Sequence, residues 1–323
     1  MFEMKRAIVA IWPKTVELGM FSKLSLSTVP KLVKPQRYLS NSIKFIPSSP
    51  LPVYDTGCTY CQIPEFPEPI DFEKDLNGTK VLPWKHVLIL SHGIKNFDDM
   101  PSKVEMVPNS VNSEIEALKR GLISAFHPIM VSNILLTNHN KLLKKFQINN
   151  ADDQLAYIYP DRKIVKFSKK DTKQFIQHFL VPPPDETQEL PQVYNPFKPA
   201  ASKKTTAVEK VDESIFEEFP IEKDLVLICG HTQRDIRCGK LGPILQTEFE
   251  EVLSIENLDE CTELGLISHV GGHAYAGNVI YFPEDKTKQV IWYGRVFPPN
   301  VQGIVRETIK NGNVIKDLYR GEV

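Results

Sequence analysis

The 323-residue chain contains no apolar run approaching the roughly 20 residues that a membrane-spanning helix needs, so no membrane span is expected. It has no glycine-rich loop that follows a strand and opens a helix, which argues against a flavin or nicotinamide site. It has almost no net charge, -1 at pH 7, and so gives no global reason to expect nucleic acid as a partner. Cysteine is scarce and odd in number: Cys58, Cys61, Cys229, Cys238 and Cys261. In a chain of this length that excludes a disulfide framework as the main source of stability. In a reducing compartment such spacings point to metal or redox chemistry.

Acidic residues are also missing from one stretch, Met20 to Tyr54. Residues 1–54 hold eight Lys or Arg against Glu3 and Glu17, a net of +6, which leaves -7 for the remainder. A basic, Ser-rich, acid-poor start is the pattern of a mitochondrial transit peptide, and residues 1–45 are read as such a leader. Pro13, Pro30 and Pro35 restrict any helix there to short pieces. What remains has the 41% hydrophobic and 24% charged content of an ordinary globular protein.

Proline divides that remainder. Residues 182–220 carry Pro182, Pro183, Pro184, Pro191, Pro196, Pro199 and Pro220, and such a segment is expected to be a linker. The segments on either side follow the same order. Upstream, 84–93 reads as a buried strand ending in a glycine turn, 111–125 as an amphipathic helix and 129–137 as a strand. A hairpin over 155–159 and 164–167 and a helix near 171–180 complete that half. Downstream, 222–231, 242–254, 264–269, the hairpin 279–282 with 290–293, and a helix near 300–310 repeat the pattern. The order predicts an α/β fold of two thioredoxin-like domains, each a mixed sheet with flanking helices, arising by internal duplication. The domains are placed at 55–181 and 221–323.

The second half has what the first lacks. Cys229 and Cys238 lie in Leu-Ile-Cys-Gly-His-Thr-Gln-Arg-Asp-Ile-Arg-Cys-Gly, and His269 and His273 in His-Val-Gly-Gly-His-Ala-Tyr-Ala-Gly-Asn. The corresponding strand of the first half ends in Leu90-Ser91, with no paired histidines. The fold therefore does not require these four residues, which points to chemistry specific to the second half. Cys238 is placed just before a helix, whose N-terminal amides favour a thiolate. His231, Arg234 and Arg237 bring positive charge and donors near the sulfurs, and Asp235 can hold an arginine or orient a histidine. Two thiolates and two imidazoles suit tetrahedral zinc or a [2Fe–2S] cluster with Cys on one iron and His on the other. Eight residues separate the cysteines, more than the two to four of a zinc finger, and a wider two-iron object fits that loop better.

These two segments resemble the signatures of the sucrase/ferredoxin-like family, whose members are thioredoxin-like ferredoxins; the resemblance runs from about Cys58 to the C-terminus. It implies a [2Fe–2S] cluster held by Cys229, Cys238, His269 and His273, and a mitochondrial redox protein of the matrix or intermembrane space that exchanges electrons with an unnamed redox partner protein. No carboxylate pair supports the sucrase half of the family's label. A histidine ligand raises a cluster's potential and can couple electron transfer to a proton.

Cys58-Thr-Tyr-Cys61 is a separate signal. It precedes Pro64, Pro67 and Pro69 and lies before the first expected strand, unlike a thioredoxin site. It also lacks the second Cys pair of a full zinc site. The alternatives to the redox protein are a thiol–disulfide oxidoreductase using Cys58 and Cys61, or a zinc-stabilised interaction protein with zinc on the two-cysteine, two-histidine set.

Overall fold

Two buried apolar runs, Val87–Leu90 and Leu225–Ile228, set the architecture. Each is too short for a stable helix and is buried on both faces, which suits a central strand. The computed structural model describes residues 43–91, 94, 96–182 and 211–323. Nearly all of the leader read over 1–45, most of the linker read over 182–220, and His92 and Gly93 lie outside the described residues.

The described elements follow in chain order. The first half has β1 (Lys44–Ile46), β2 (Lys85–Leu90), α1 (Val111–Leu122), β3 (Ile129–Leu136) and α2 (His139–Lys145). It continues with β4 (Asp153–Tyr159), β5 (Lys163–Ser168) and α3 (Thr172–Phe175, extended by a wider turn to Leu180). The second has β6 (Glu217–Pro220), β7 (Asp224–Cys229), α4 (Ile236–Ile255), β8 (Thr262–Ile267), β9 (Val279–Phe282) and β10 (Ile291–Tyr293). It ends with α5 (Pro298–Gly303, extended to Lys310), β11 (Asn313–Ile315) and β12 (Tyr319–Glu322).

Both halves share one ten-stranded mixed sheet, in the order β12-β10-β9-β7-β8-β3-β2-β4-β5-β6. In the first half β2 pairs parallel with β3 and antiparallel with β4, and β4 antiparallel with β5. In the second, β7 pairs parallel with β8 and antiparallel with β9, and β9 antiparallel with β10. The halves join centrally where β3 runs antiparallel to β8, with Ile134 opposite Ile267, and again at the sheet's edge, where β6 pairs antiparallel with β5. The expected mixed sheet with flanking helices is therefore present, with its two parts continuous through one sheet. The structured body also starts upstream of residue 55, because β1 pairs parallel with β11.

Alternation along the strands produces two faces. Val226 and Ile228 pack with Leu241, Leu245 and Phe249 of α4 and Val301 and Ile304 of α5. Val87 and Ile89 pack with Ile115 of α1 and Phe175 of α3. On the opposite face Leu88, Leu90, Leu225, Leu227 and Trp292 form one core spanning both halves. The sheet curls around that core. Five strand spacings separate β4 from β9, about 24 Å in a flat sheet, yet the rings of Tyr159 and Phe282 lie 4.5 Å apart. Arg162 closes the rim by donating to the carbonyls of Pro283 and Lys288 over 3.2 and 2.8 Å.

Helix α4 begins at Ile236, six residues before the start expected at 242 from the apolar periodicity. Asp235 supplies the cap instead, its carboxylate accepting the Arg237 amide over 3.0 Å. That cap and the burial of Arg237, Cys238 and Leu241 offset the hydrogen bond lost at the internal proline. Cys238 therefore sits within the first turn of α4.

Candidate metal centre

Parallel pairing places the ligand-type residues at one edge of the sheet. Cys229 ends β7 and stands opposite Ile267, the last residue of β8; His269 comes two residues later. The carboxyl ends of parallel strands are where open α/β sheets leave room for a site. Cys238 approaches from α4, whose first-turn amides lack partners within the helix. The approach is close: a Cβ on Gly242 would stand 2.7 Å from the Cα of Gly230. Glycine at 242 lets α4 lie against the loop that follows Cys229, and a Cβ on Gly230 would press on Leu266 of β8 at 3.0 Å.

The four residues differ in exposure. Cys229 and Cys238 are buried, at 1% and 0%, while His269 is half-buried and His273 exposed. The two imidazole rings lie 5.5 Å apart and are inclined by 35°. Pairing with the Cys238 thiol, and then the His269 ring, hold Cys229 well below the ordinary thiol range although burial opposes this. The same pairing, together with burial, pushes Cys238 well up. Of the two buried thiols, Cys229 is the one with a histidine ring beside it to favour the thiolate.

Among the described residues no three His, Cys, Asp or Glu side chains converge tightly enough to hold a single metal ion. The donors lie instead as a buried thiol pair and a more open imidazole pair. The Nδ1 atom of His269 is buried and has no hydrogen-bond partner in the protein. A buried ring nitrogen left unpaired is costly, and a metal is one group that satisfies it. Donor types, burial and this open nitrogen fit an iron–sulfur group with mixed ligands.

The surrounding residues have distinct tasks. The Nδ1 of His231 accepts the His269 amide over 3.1 Å, so its Nε2 carries the hydrogen that reaches the Pro101 carbonyl over 3.0 Å. Burial lowers the pKa of His231, and the ring is neutral; it does not bring the positive charge expected from the sequence. Arg237 is buried and bidentate on Asp235, over 3.0 and 2.9 Å, and also donates to the Pro69 carbonyl over 2.9 Å. Glu68 adds an ion pair at 3.2 Å. Arg237 is thus held by two carboxylates while its charge still acts on Cys238 as expected, and Asp235 holds an arginine, not a histidine. Arg234 is exposed and lines a cleft of about 290 Å³ with His231, His269, Asn112 and Glu116, so α1 of the first half forms one wall beside His269.

Cys58 and Cys61 are not part of this edge. They share one turn, the Cys61 amide donating to the Cys58 carbonyl over 3.0 Å. The Cys58 thiol points at the Ile244 carbonyl of α4, 3.9 Å away, six residues beyond Cys238, or about 9 Å along a helix axis. Burial, then Cys61, push Cys58 up to about 12. Cys261 is exposed. One buried charge has no sequence signal marking it: Arg320 in β12, 1% exposed, lies against the histidine loop. A single arginine between Tyr319 and Gly321 looks like a surface residue until the fold is known.

A sucrase/ferredoxin-like family model matches residues 76–321. A Debaryomyces hansenii protein named Altered inheritance of mitochondria protein 32 is 50% identical over 294 residues, covering 89% of this chain and 98% of its own. A Clavispora lusitaniae protein of that name is 50% identical over 280 residues, covering 86% and 96%. One from Saccharomyces kudriavzevii is 29% identical over 320 residues, covering 92% and 99%. A solved thioredoxin-like [2Fe–2S] ferredoxin from Aquifex aeolicus is 21% identical, over 31% of this chain and 93% of its own, with a TM-score of 0.25.

Proposed function

The chain belongs to the sucrase/ferredoxin-like family, and from that premise we propose that it is a mitochondrial thioredoxin-like ferredoxin acting in electron transfer or redox maintenance. The observation that carries this reading is the buried thiol pair Cys229–Cys238 beside His269, whose Nδ1 has no partner in the protein. Cys229, Cys238, His269 and His273 would hold a [2Fe–2S] cluster, which supplies one-electron chemistry at a potential raised by its imidazole ligands. The mitochondrial setting is supported by the relatives' name and by the basic start of the chain.

The residues divide the work by exposure. Cys229 and Cys238 sit in the core and keep water from the sulfur side. His273 is exposed and His269 lines the cleft, so the imidazole side is where a partner protein and a proton have access. Asp235 and Arg237 fix the first turn of α4 and with it the Cys238 backbone. His231 fixes the backbone of His269. Second contacts of this kind orient ligands and tune their basicity. Substituting Cys229 or Cys238 by Ser, or His269 by Ala, is expected to abolish visible absorbance in protein purified without air. Retention of full wild-type absorbance by any of the three would remove that residue from the ligand set.

A second reading, thiol–disulfide exchange at Cys58 and Cys61, is favoured by their placement in one turn. The raised pKa of Cys58 makes it a poor nucleophile near neutral pH, and exposed Cys61 would have to make the attack.

A further inference from the structure

The side chain of Arg320 runs through the core beside the histidine loop, and its guanidinium meets only neutral oxygens. Nη1 donates to Asn278 Oδ1 over 2.6 Å and to the Gly271 carbonyl over 3.3 Å. Nη2 donates to the Thr79 carbonyl over 2.6 Å, and Nε to Thr79 Oγ1 over 3.1 Å. The guanidinium carbon lies 5.7 and 5.8 Å from the rings of Tyr275 and Trp292. Among the described residues no carboxylate pairs with it; the acidic groups whose field reaches it are the thiols of Cys229 and Cys238 and the Tyr275 hydroxyl. A buried cation without a carboxylate is costly and calls for another source of negative charge.

The loop between the two histidines is built around this side chain. Gly272 has φ +76°, and a Cβ there would stand 2.5 Å from an Arg320 nitrogen and 2.7 Å from the guanidinium carbon. Gly271 turns its carbonyl to the same group. On the far side, a Cβ on Gly294 would come within 2.9 Å of the Arg320 Cδ. The two glycines of His-Val-Gly-Gly-His thus have a physical reason that is not metal binding: one makes room for the guanidinium and the other accepts from it. Asn278 links the ends, because its Nδ2 donates to the Gly272 carbonyl over 3.0 Å while its Oδ1 accepts from Arg320. Its own carbonyl accepts the Cys229 amide over 2.9 Å. Arg320 therefore reaches the backbone of both the histidine loop and the first cysteine.

We propose that Arg320 is the positioning residue of this centre, shaping the loop that carries His269 and His273 and supplying the buried positive charge that offsets the thiolates. The charge part rests on the cluster reading above; the positioning part does not. Hydrogen bonds and net charge around a cluster set its potential, and a nearby cation favours the state with the added electron. Burial brings the guanidinium pKa down to about 10, so it remains charged at neutral pH.

The test uses the full chain with R320K and R320Q. In metal-free protein, amide exchange over 269–278 is expected to quicken roughly tenfold or more in R320Q while α1 keeps its wild-type rate. In cluster-loaded protein, the midpoint potential of R320Q is expected to be more negative than wild type, with R320K between the two. Wild-type exchange in R320Q, or a wild-type potential in its loaded form, overturns the proposal. If R320Q does not fold, R320K carries the exchange readout, because lysine keeps the charge and loses the planar fork of donors, and wild-type exchange there overturns the proposal. Wild-type protein that takes up no iron would remove the reading above, and the exchange experiment would still decide for or against Arg320.

Discussion

The Nδ1 of His231 accepts the backbone N–H of His269 over 3.1 Å. The loop after β7 is thereby tied to the loop after β8 through an imidazole that is itself anchored on Pro101. One of the paired histidines thus owes its backbone position to a third histidine that is buried and neutral.

His231→Leu leaves the His269 amide and the Pro101 carbonyl without their partner. Each unmet buried group costs on the order of 1–3 kcal/mol, so the midpoint of chemical denaturation is expected to fall. The variant should also lose iron faster than wild type on desalting. Equal denaturation midpoints for the two proteins would show that this link has no structural weight.

Cys58→Ser with Cys61→Ser is expected to leave iron content unchanged, because the pair sits about 9 Å along α4 from Cys238. Alkylation followed by mass spectrometry should label exposed Cys61 and Cys261 first, and Cys58 slowly. Loss of redox activity with the cluster retained would favour the thiol–disulfide reading.

Thr59 is fully buried and donates to Glu248 of α4 over 2.8 Å. Thr56 donates to the same carboxylate, so the segment before the first central strand is pinned to the helix that carries Cys238. Thr59→Val is expected to destabilise the fold by about 1.5–3 kcal/mol, the range for a hydrogen bond to a charged group, while iron content stays at the wild-type level. Denaturant titration and iron analysis on the same sample check both halves of this expectation.

His86 is buried in the core shared by the two halves, 3.0 Å from the Ser132 hydroxyl, and burial holds its pKa at about 3. In the unfolded chain the value is about 6.5. Between these values the unfolded state takes up a proton that the native state refuses. The stability due to neutral His86 is therefore complete above about pH 6.5 and declines by up to about 1.4 kcal/mol per pH unit as pH falls toward 3. His86→Gln should flatten the slope of stability against pH in that window by about one proton. An unchanged slope would mean that His86 is not the group responsible.

The central elements were legible because their signals are local. Buried apolar runs marked β2 and β7, the hairpins β4–β5 and β9–β10 were bounded by polar turns, and cysteines and histidines in glycine-rich sequence marked the sheet edge where Cys229, Cys238 and His269 meet. Edge strands β1, β6, β11 and β12 are three or four residues long and too short to show a period. The start of α4 lies before its apolar period because the first turn, capped by Asp235, carries Arg237, Cys238 and Gly239. The curl that brings Tyr159 to Phe282 and the burial of Arg320 depend on distant residues, and no local pattern carries them. Positive charge was expected from His231 because burial and tautomer are properties of the folded site.

Purification of the full chain without air, followed by iron, sulfide and zinc analysis and EPR after reduction, tests the central claim most directly. The account predicts two irons and two sulfides per chain and an EPR signal on one-electron reduction, all lost in Cys229→Ser. Colourless protein holding one zinc and no sulfide would contradict it.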